Sequence, residues 1–366
     1  MKIKVLGILI AASLALSMLL ASCETKQNSS LSEGETTASV SENKSTVKIG
    51  EIETAENGLS YRLYTEESGE KYYALVGMGN KYKDSALVIP ESFKDLPVKL
   101  IADSAFQSSK QITSVTIPNS VTAIGKLAFG DCDKLTELVI PDSVTSIGER
   151  AFSDCDTLAT VTVGNGVKAI AGKMFYSCDK LATVSLGTAV KSIGFEAFFG
   201  CSELKELVLP EGLSVIEDHT FWACYQLEKL EIADQLTSIG KDVFYACSAL
   251  KTTEVDGAHY LGSTNNPHLL LVGISDKTIT EFTVHGNTKY IGESVFSDCS
   301  ALTTVTLPAG ITLLAEGAFS HCSVLTSINF QGSTADWNSI SKGYLWDHES
   351  GNYVVTCSDG SVSKAQ

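Results

Sequence analysis

Phenylalanine recurs in this chain at a fixed step of 23 residues, kept over seven consecutive members before it breaks and then resumes. A cysteine stands three residues after most of these phenylalanines. The marked positions are Phe106, Phe129, Phe152, Phe175, Phe198, Phe221, Phe244, Phe296 and Phe319, and Cys132, Cys155, Cys178, Cys201, Cys224, Cys247, Cys299 and Cys322. A constant period of this length predicts a repeat solenoid with these residues in its core, because one short unit stacks on its copies.

Residues 132–154 show one complete unit, CDKLTELVIPDSVTSIGERAFSD. Leu138 and Ile140 alternate with polar neighbours, which predicts a short strand with both apolar side chains on one face. Pro141 ends that strand, since proline cannot donate to a ladder. Residues 147–152 are too few for a full helix and predict one helical or 3₁₀ turn. A lone unit cannot bury enough apolar surface to offset its ordering, so the units must stack.

The consensus L-x-x-L-x-[IL]-P-x-x-V-x-x-I-G-x-x-A-F-x-x-C resembles the BspA-type leucine-rich repeat over about residues 87–332. The resemblance implies a curved solenoid with a parallel β-sheet on its concave face and short helical, 3₁₀ or irregular turns on its convex face. It also implies a surface-exposed bacterial protein of a kind often linked to adhesion. The periodicity by itself supports only a stacked coil.

The N-terminus has the features of an export signal. Lys2 and Lys4 precede an almost wholly apolar stretch that ends in Leu20-Ala21-Ser22-Cys23. This ending resembles a lipobox, which implies that Cys23 carries the lipid and anchors the protein on the extracytoplasmic side of the envelope. A plain secretory signal with an incidental cysteine is the alternative. A transmembrane anchor is disfavoured, because the stretch is short and lies at the extreme N-terminus.

Composition and period divide the chain into segments. Residues 23–57 are rich in Ser, Thr, Glu, Asn and Lys and contain no aromatic residue, which predicts a disordered tether. Residues 270–274 mirror residues 73–78 of the β-hairpin-like N-terminal cap, so the break in the period predicts a second copy of that cap, with a true domain boundary as the alternative. The predicted segments are a lipoprotein signal peptide (1–22), a lipid-anchored tether (23–57), an N-terminal cap with the first coil (58–105), regular repeats (106–250), an enlarged coil with a β-hairpin (251–290), further repeats (291–330) and a C-terminal cap (331–366).

The repeated cysteines are predicted to be reduced and buried. Equivalent residues of successive coils lie about 5 Å apart, but their parallel side chains oppose disulfide geometry. Free cysteine behaves as a small apolar residue. A metal site needs ligands that converge from several directions, and no such cluster is evident in the sequence. No cofactor is therefore expected.

No catalytic signature accompanies the repeats. The six histidines do not recur in register, although three of them, His259, His268 and His285, fall in the enlarged coil. Nucleophile-elbow, metalloprotease, P-loop and dinucleotide motifs do not occur. We therefore predict that the protein is not an enzyme.

The residues that flank the apolar strand positions are predicted to face outward on the concave sheet. They form a surface of threonine and serine with a charged patch, and the candidate binding residues are Glu137, Val139, Thr160, Thr162, Thr183, Ser185, Glu206, Val208, Lys229 and Glu231. Threonine suits exposed strand positions in any case, so a merely soluble sheet face is the alternative interpretation. Solenoid concavity favours a broad surface for a macromolecule.

Charge narrows the choice of partner. The formal net charge is -16 and no run of Lys or Arg occurs, which disfavours nucleic acid. An extracellular protein, such as a host matrix protein, is the preferred partner, with membrane contact only through the N-terminal lipid. A glycan ranks second because the candidate face is poor in aromatic residues. A structural spacer that binds nothing is a third possibility.

Overall fold

The computed structural model describes residues 47–364. The predicted signal peptide, Cys23 and most of the predicted tether lie outside the described residues. The predicted solenoid is confirmed: short strands recur along the chain and pair in parallel with their equivalents in the neighbouring coils. We call the two parallel rows of strands ladder A and ladder B.

Ladder A contains the strands that the apolar alternation predicts. Thr160 pairs with Glu137 on one side and with Thr183 on the other, so the register advances by one repeat at each step. Its strands in the first array are β4 (Ala86–Val88), β7 (Ser114–Thr116), β9 (Glu137–Ile140), β11 (Thr160–Val163), β13 (Thr183–Ser185), β15 (Glu206–Val208) and β17 (Lys229–Glu231). In the second array they are β22 (Glu281–Thr283), β24 (Thr304–Leu307), β26 (Ser327–Phe330) and β28 (Val354–Cys357).

Ladder B lies on the return side of each coil, after the bend at the position of Pro141. Its strands in the first array are β6 (Leu96–Ile101), β8 (Ala123–Ile124), β10 (Ser146–Ile147), β12 (Ala169–Ile170), β14 (Ser192–Ile193), β16 (Val215–Ile216) and β18 (Ser238–Ile239). In the second array they are β23 (Tyr290–Ile291), β25 (Leu313–Leu314) and β27 (Ser341–Lys342). Most of these strands have two residues, so each coil gains a second point of backbone pairing with its neighbours.

The segment after ladder B is an irregular turn rather than the expected helical or 3₁₀ turn. Arg150 and Asp154 have φ angles of 57° and 56°, in the left-handed region that non-glycine residues rarely adopt. These bends direct alternate N–H groups at the next coil: Arg150 N donates to Gly172 O at 3.1 Å, and Asp154 N donates to Tyr176 O at 2.7 Å. A helix would use its N–H groups internally. The irregular turn uses them to join coils.

The phenylalanines form a stacked column in the core of each array, from Phe106 to Phe244 in the first and from Phe296 to Phe319 in the second. Phe152 lies between Phe129 and Phe175, with ring centroids 5.4 and 6.1 Å away. The repeat thiols lie beside the phenylalanines, and seven of the eight donate to a backbone carbonyl, as Cys155 does to Phe129 O at 3.3 Å. The nine cysteines of the described region are all free. Eight marked phenylalanines are buried, and Phe244 is only partly buried because it ends the first array.

The N-terminal cap begins earlier than predicted. β1 (Lys48–Thr54) pairs with β2 (Leu59–Thr65), which pairs with β3 (Lys71–Met78), and β5 (Ser92–Phe93) pairs with β6. The tether predicted to reach residue 57 is therefore wrong from Lys48 onward. The polar composition of β1 is typical of a disordered segment, but β1 is an exposed edge strand. Backbone pairing holds it in place, and burial of its side chains does not.

The interrupted period contains a second cap. β19 (Thr253–Val255) and β20 (Ala258–Leu261) form a hairpin, and β20 pairs with β21 (Leu270–Ile274). β21 then runs parallel to β23, as β3 runs parallel to β6. Leu270 belongs to the core of the first array and Leu271 to the core of the second. The strand β21 is thus shared, and its two faces join the arrays.

The C-terminal coil is closed by the one helix found in residues 47–364, α1 (Thr334–Ser339). Ser333 and Asp336 form a capping box at its start. The ring of Trp337 is buried against the last coil, 5.5 Å from Phe330. The final strand, β29 (Gly360–Ser363), pairs with β28. Within the described region no helix has the length and apolarity needed to cross a bilayer.

Candidate binding surface

The outward positions of ladder A form one continuous polar face. In β9 the burial alternates, with Leu138 and Ile140 inside and Glu137 and Val139 exposed. Backbone pairing places the equivalent residues of the neighbouring strands beside them. All ten candidate residues therefore lie on this face of the first array.

A groove of about 1590 Å³ opens along part of this face. Six of the ten candidates line it, namely Thr183, Ser185, Glu206, Val208, Lys229 and Glu231. The other four, Glu137, Val139, Thr160 and Thr162, lie on β9 and β11, outside the groove. The structure thus divides the predicted face into an open sheet surface and a walled section.

Residues 262–267, in the loop between β20 and β21, contribute Gly262, Ser263, Thr264 and Pro267 to the wall of the groove beside β17. Gly262 is needed here because a Cβ atom at this position would lie 2.0 Å from Asn266 O. Asn266 Nδ2 donates to Asn287 O at 2.8 Å, and Gly262 O accepts from Ile232 N at 3.1 Å. Thr264 Oγ1 donates to Glu231 Oε1 at 3.4 Å. These contacts fix the loop to both arrays.

The loop residues were not among the sequence candidates. The interrupted period is the only sequence signal at this place, and it marks a change in the coil without indicating what the inserted residues face. Lys251 and Glu228 also line the groove and were missed, because the strand alternation does not include them. They form an exposed ion pair.

The groove carries charges of both signs. Lys229 Nζ lies 2.8 Å from Glu231 Oε1, and this hydrogen bond lowers the pKa of the Glu231 carboxyl and raises the pKa of Lys229. The remaining charged residues of the lining are Lys205, Lys251, Glu206, Glu211 and Glu228. The one aromatic residue of the lining, Tyr260, is only 1% exposed. The groove therefore offers hydroxyl groups and paired charges, and it presents no ring to a ligand.

The three histidines of the enlarged coil, residues 251–290, do not assemble into a catalytic set. His259 Nε2 lies 2.9 Å from Ser275 Oγ, but its Nδ1 faces the Thr252 hydroxyl at 3.3 Å instead of a carboxylate. The rings of His268 and His285 are tilted by 38° with their centroids 3.9 Å apart, and burial lowers the pKa of His268. No group of three or more potential metal ligands converges within residues 47–364.

Comparisons with known proteins agree with this architecture. The family model for the BspA type leucine-rich repeat region matches in six copies, over residues 99–190, 169–263 and 275–344. A leucine-rich repeat protein of T. pallidum is 30% identical, over 54% of this chain and 91% of its own, with a TM-score of 0.49.

Two further solved structures resemble the chain. A leucine-rich repeat protein from Bacteroides ovatus is 25% identical, over 78% of this chain and 77% of its own, with a TM-score of 0.44. The pneumococcal vaccine antigen PcpA is 18% identical, over 85% of this chain and 88% of its own, with a TM-score of 0.43. No curated protein matches the chain.

Proposed function

Since the chain belongs to the BspA type leucine-rich repeat family, we propose that it binds macromolecules outside the bacterial cell. We further propose that it is held at the cell surface by lipid on Cys23, and that the partner is a host or matrix protein or a protein on another cell. The observation that carries the binding proposal is the walled groove on ladder A, where six outward-facing residues of three strands meet the loop of residues 262–267.

The chemistry of the groove favours a protein partner. Hydroxyl groups of Thr183 and Ser185 can both donate and accept hydrogen bonds. The Lys229–Glu231 pair offers one positive and one negative charge on the outward face of β17. Protein surfaces present mixed charges and backbone amides that complement such a lining. The exposed side chain of Val208 supplies an apolar contact at its centre.

A glycan is less well suited to this lining, because sugar recognition commonly uses an exposed ring against the apolar face of the sugar, and Tyr260 is buried. The test is to immobilise the full-length chain and to measure binding to a panel of matrix proteins and to a glycan array. Saturable binding to a matrix protein supports the proposal. Binding to glycans alone contradicts the choice of a protein partner. No binding to either the matrix proteins or the glycan array supports a structural spacer instead.

A further inference from the structure

The turn segment after β18 ends the first array and forms its edge. It presents the backbone N–H groups that join one coil to the next, but no further coil of residues 47–364 packs on it in register. In each of the six preceding steps, three N–H groups of one coil donate to three carbonyl groups of the next. The step before the edge shows the pattern, with Phe221 N donating to Val243 O at 3.0 Å and Ala223 N donating to Tyr245 O at 2.9 Å.

At the last coil of the first array this pattern is broken. The first of its three N–H groups, that of Asp242, donates to the carboxylate of Glu293 instead of to a backbone carbonyl. The N–H groups of Phe244 and Ala246 find no acceptor anywhere in residues 47–364. The edge therefore keeps two backbone donors, two residues apart, in the register that the preceding coils use. A backbone donor left without a partner gains free energy when an acceptor reaches it.

Two aromatic columns end at the same edge. Phe244 stacks on Phe221 with centroids 6.2 Å apart, and Tyr245 packs on Trp222 at 4.2 Å. Within the described part of the chain no further ring stacks on the far side of either residue, and Tyr245 is 56% exposed. A cavity of about 330 Å³ lies beyond the two rings. Leu250, Leu261 and Val272 form part of its apolar wall.

We propose that this gap between the two arrays binds a peptide segment that carries two neighbouring aromatic side chains. The coil-to-coil interface continues up to this edge and then stops. A partner that continues it must therefore supply backbone carbonyl acceptors and two aromatic rings, as each coil does. The peptide carbonyls accept from Phe244 and Ala246, as Val243 O and Tyr245 O accept from the preceding coil. Its two aromatic side chains extend the columns of Phe244 and Tyr245, with one of them in the cavity.

The gap is separate from the groove on ladder A. Leu261 is the one residue that lines both. The inference goes beyond the proposed function and does not depend on it, since it rests on the turn side of the coil. A failure of the gap experiment leaves the matrix-protein test untouched.

The probe is a blocked peptide with the sequence of residues 240–246, GKDVFYA, which is the segment that docks on the preceding coil. The full-length chain is incubated with the peptide, and amide hydrogen exchange is followed by NMR. We expect exchange to slow at Phe244 and Ala246. The last coil of the second array gives an internal control. Its Asp347 and Glu349 N–H groups also lack acceptors in the described region, but no stacked phenylalanine adjoins them. Their exchange should not change.

Substitutions and a second peptide complete the test. Val272→Trp fills the cavity and should abolish binding, and Tyr245→Ala should weaken it about threefold to tenfold through loss of one ring contact. Tyr176→Ala, at the other end of the same column, is the matched control and should leave the affinity within about twofold. The peptide GKDVAAA should not bind. Absence of protection at Phe244 and Ala246, or equal binding of the two peptides, would overturn the proposal.

Discussion

The ammonium group of Lys277 lies 2.8 Å from the carbonyl oxygen of Val295 and donates to it. The same group donates to Ser297 O at 3.0 Å. In the interior of an array these two carbonyl positions receive N–H groups from the preceding coil, as Met174 O does from Phe152 and Tyr176 O does from Asp154. The first turn of the second array has no preceding coil in register, so one lysine replaces the missing backbone donors. The second array therefore begins anew and is not a continuation of the first.

Removing this lysine should destabilise the second array. Lys277→Met keeps the length of the side chain but removes the donor, leaving the carbonyls of Val295 and Ser297 without it. Hydrogen bonds to a charged group contribute about 1.5–3 kcal/mol, so we expect a loss of that size in chemical denaturation. Lys180→Met, which breaks an exposed pair with Glu203, is the control and should cost less than about 1 kcal/mol. Equal effects of the two changes would contradict the capping role.

The phenylalanine column should dominate the stability of the first array. Phe152 is fully buried between two rings, and Phe152→Ala should cost about 3–5 kcal/mol, measured by denaturant unfolding. Val139→Ala, on the exposed face of the same region, is the control and should change stability by less than about 0.5 kcal/mol. A near-zero loss for Phe152→Ala would mean that coil stacking does not depend on this column.

Local sequence predicts the strands and the core well because each coil has the same apolar residues at the same positions. Leu138 and Phe152 recur at fixed offsets, and a residue that recurs beside its own copies must pack against them. The same logic locates the outward face of ladder A. It also detects the second cap, since residues 270–274 resemble residues 73–78.

The left-handed bends could not be predicted from the residues that make them. Leu127, Arg150, Lys173 and His219 all adopt positive φ at one repeat position, where glycine or asparagine would be the usual signal. Hydrogen bonding to the next coil imposes this geometry, and such bonding appears only after stacking. The wall at residues 262–267 was missed for a related reason, because the docking of the second array places it beside β17.

The thiol column should be unreactive until the chain unfolds. Burial raises the pKa of Cys132 to about 12, so the reactive thiolate is scarce at neutral pH. We expect a thiol reagent to label the unfolded repeat cysteines and hardly to label the folded ones. Denaturation without reductant is the decisive condition: a shortage of labelled thiols there would reveal disulfides and contradict the free column.

Stability should fall at alkaline pH. The pKa values of Cys132, Cys247 and Cys322 are each raised to about 12, chiefly by burial. Below the unfolded-state pKa of about 8.5 the thiol is protonated in both the folded and the unfolded state. Its full contribution to the free energy of unfolding is therefore present there. Between that pH and about 12 the unfolded chain ionises first, so the free energy of unfolding declines. Replacing the three cysteines by alanine should flatten this decline relative to the parent, and an unchanged slope would contradict it.

The proposed lipid anchor is tested at Cys23, which lies outside the described residues. Cys23→Ser removes the proposed acceptor for the lipid, so we expect the protein to leave the membrane fraction of expressing cells. Cys322→Ser is the matched control, because this buried thiol belongs to the core and should not affect fractionation. Continued membrane association of the Cys23 variant would contradict the proposal that lipid on Cys23 anchors the protein.

The groove on ladder A is tested most directly by two valines at the same strand position. Val208 lies in the groove and is 63% exposed, whereas Val88 occupies the equivalent place on β4, outside the groove, and is 62% exposed. The measurement is the affinity of Val208→Arg and Val88→Arg for the matrix protein that the parent chain binds. We predict a loss of at least about tenfold for Val208→Arg and little change for Val88→Arg. Unchanged binding by Val208→Arg, or equal losses for both, would contradict the assignment of the groove.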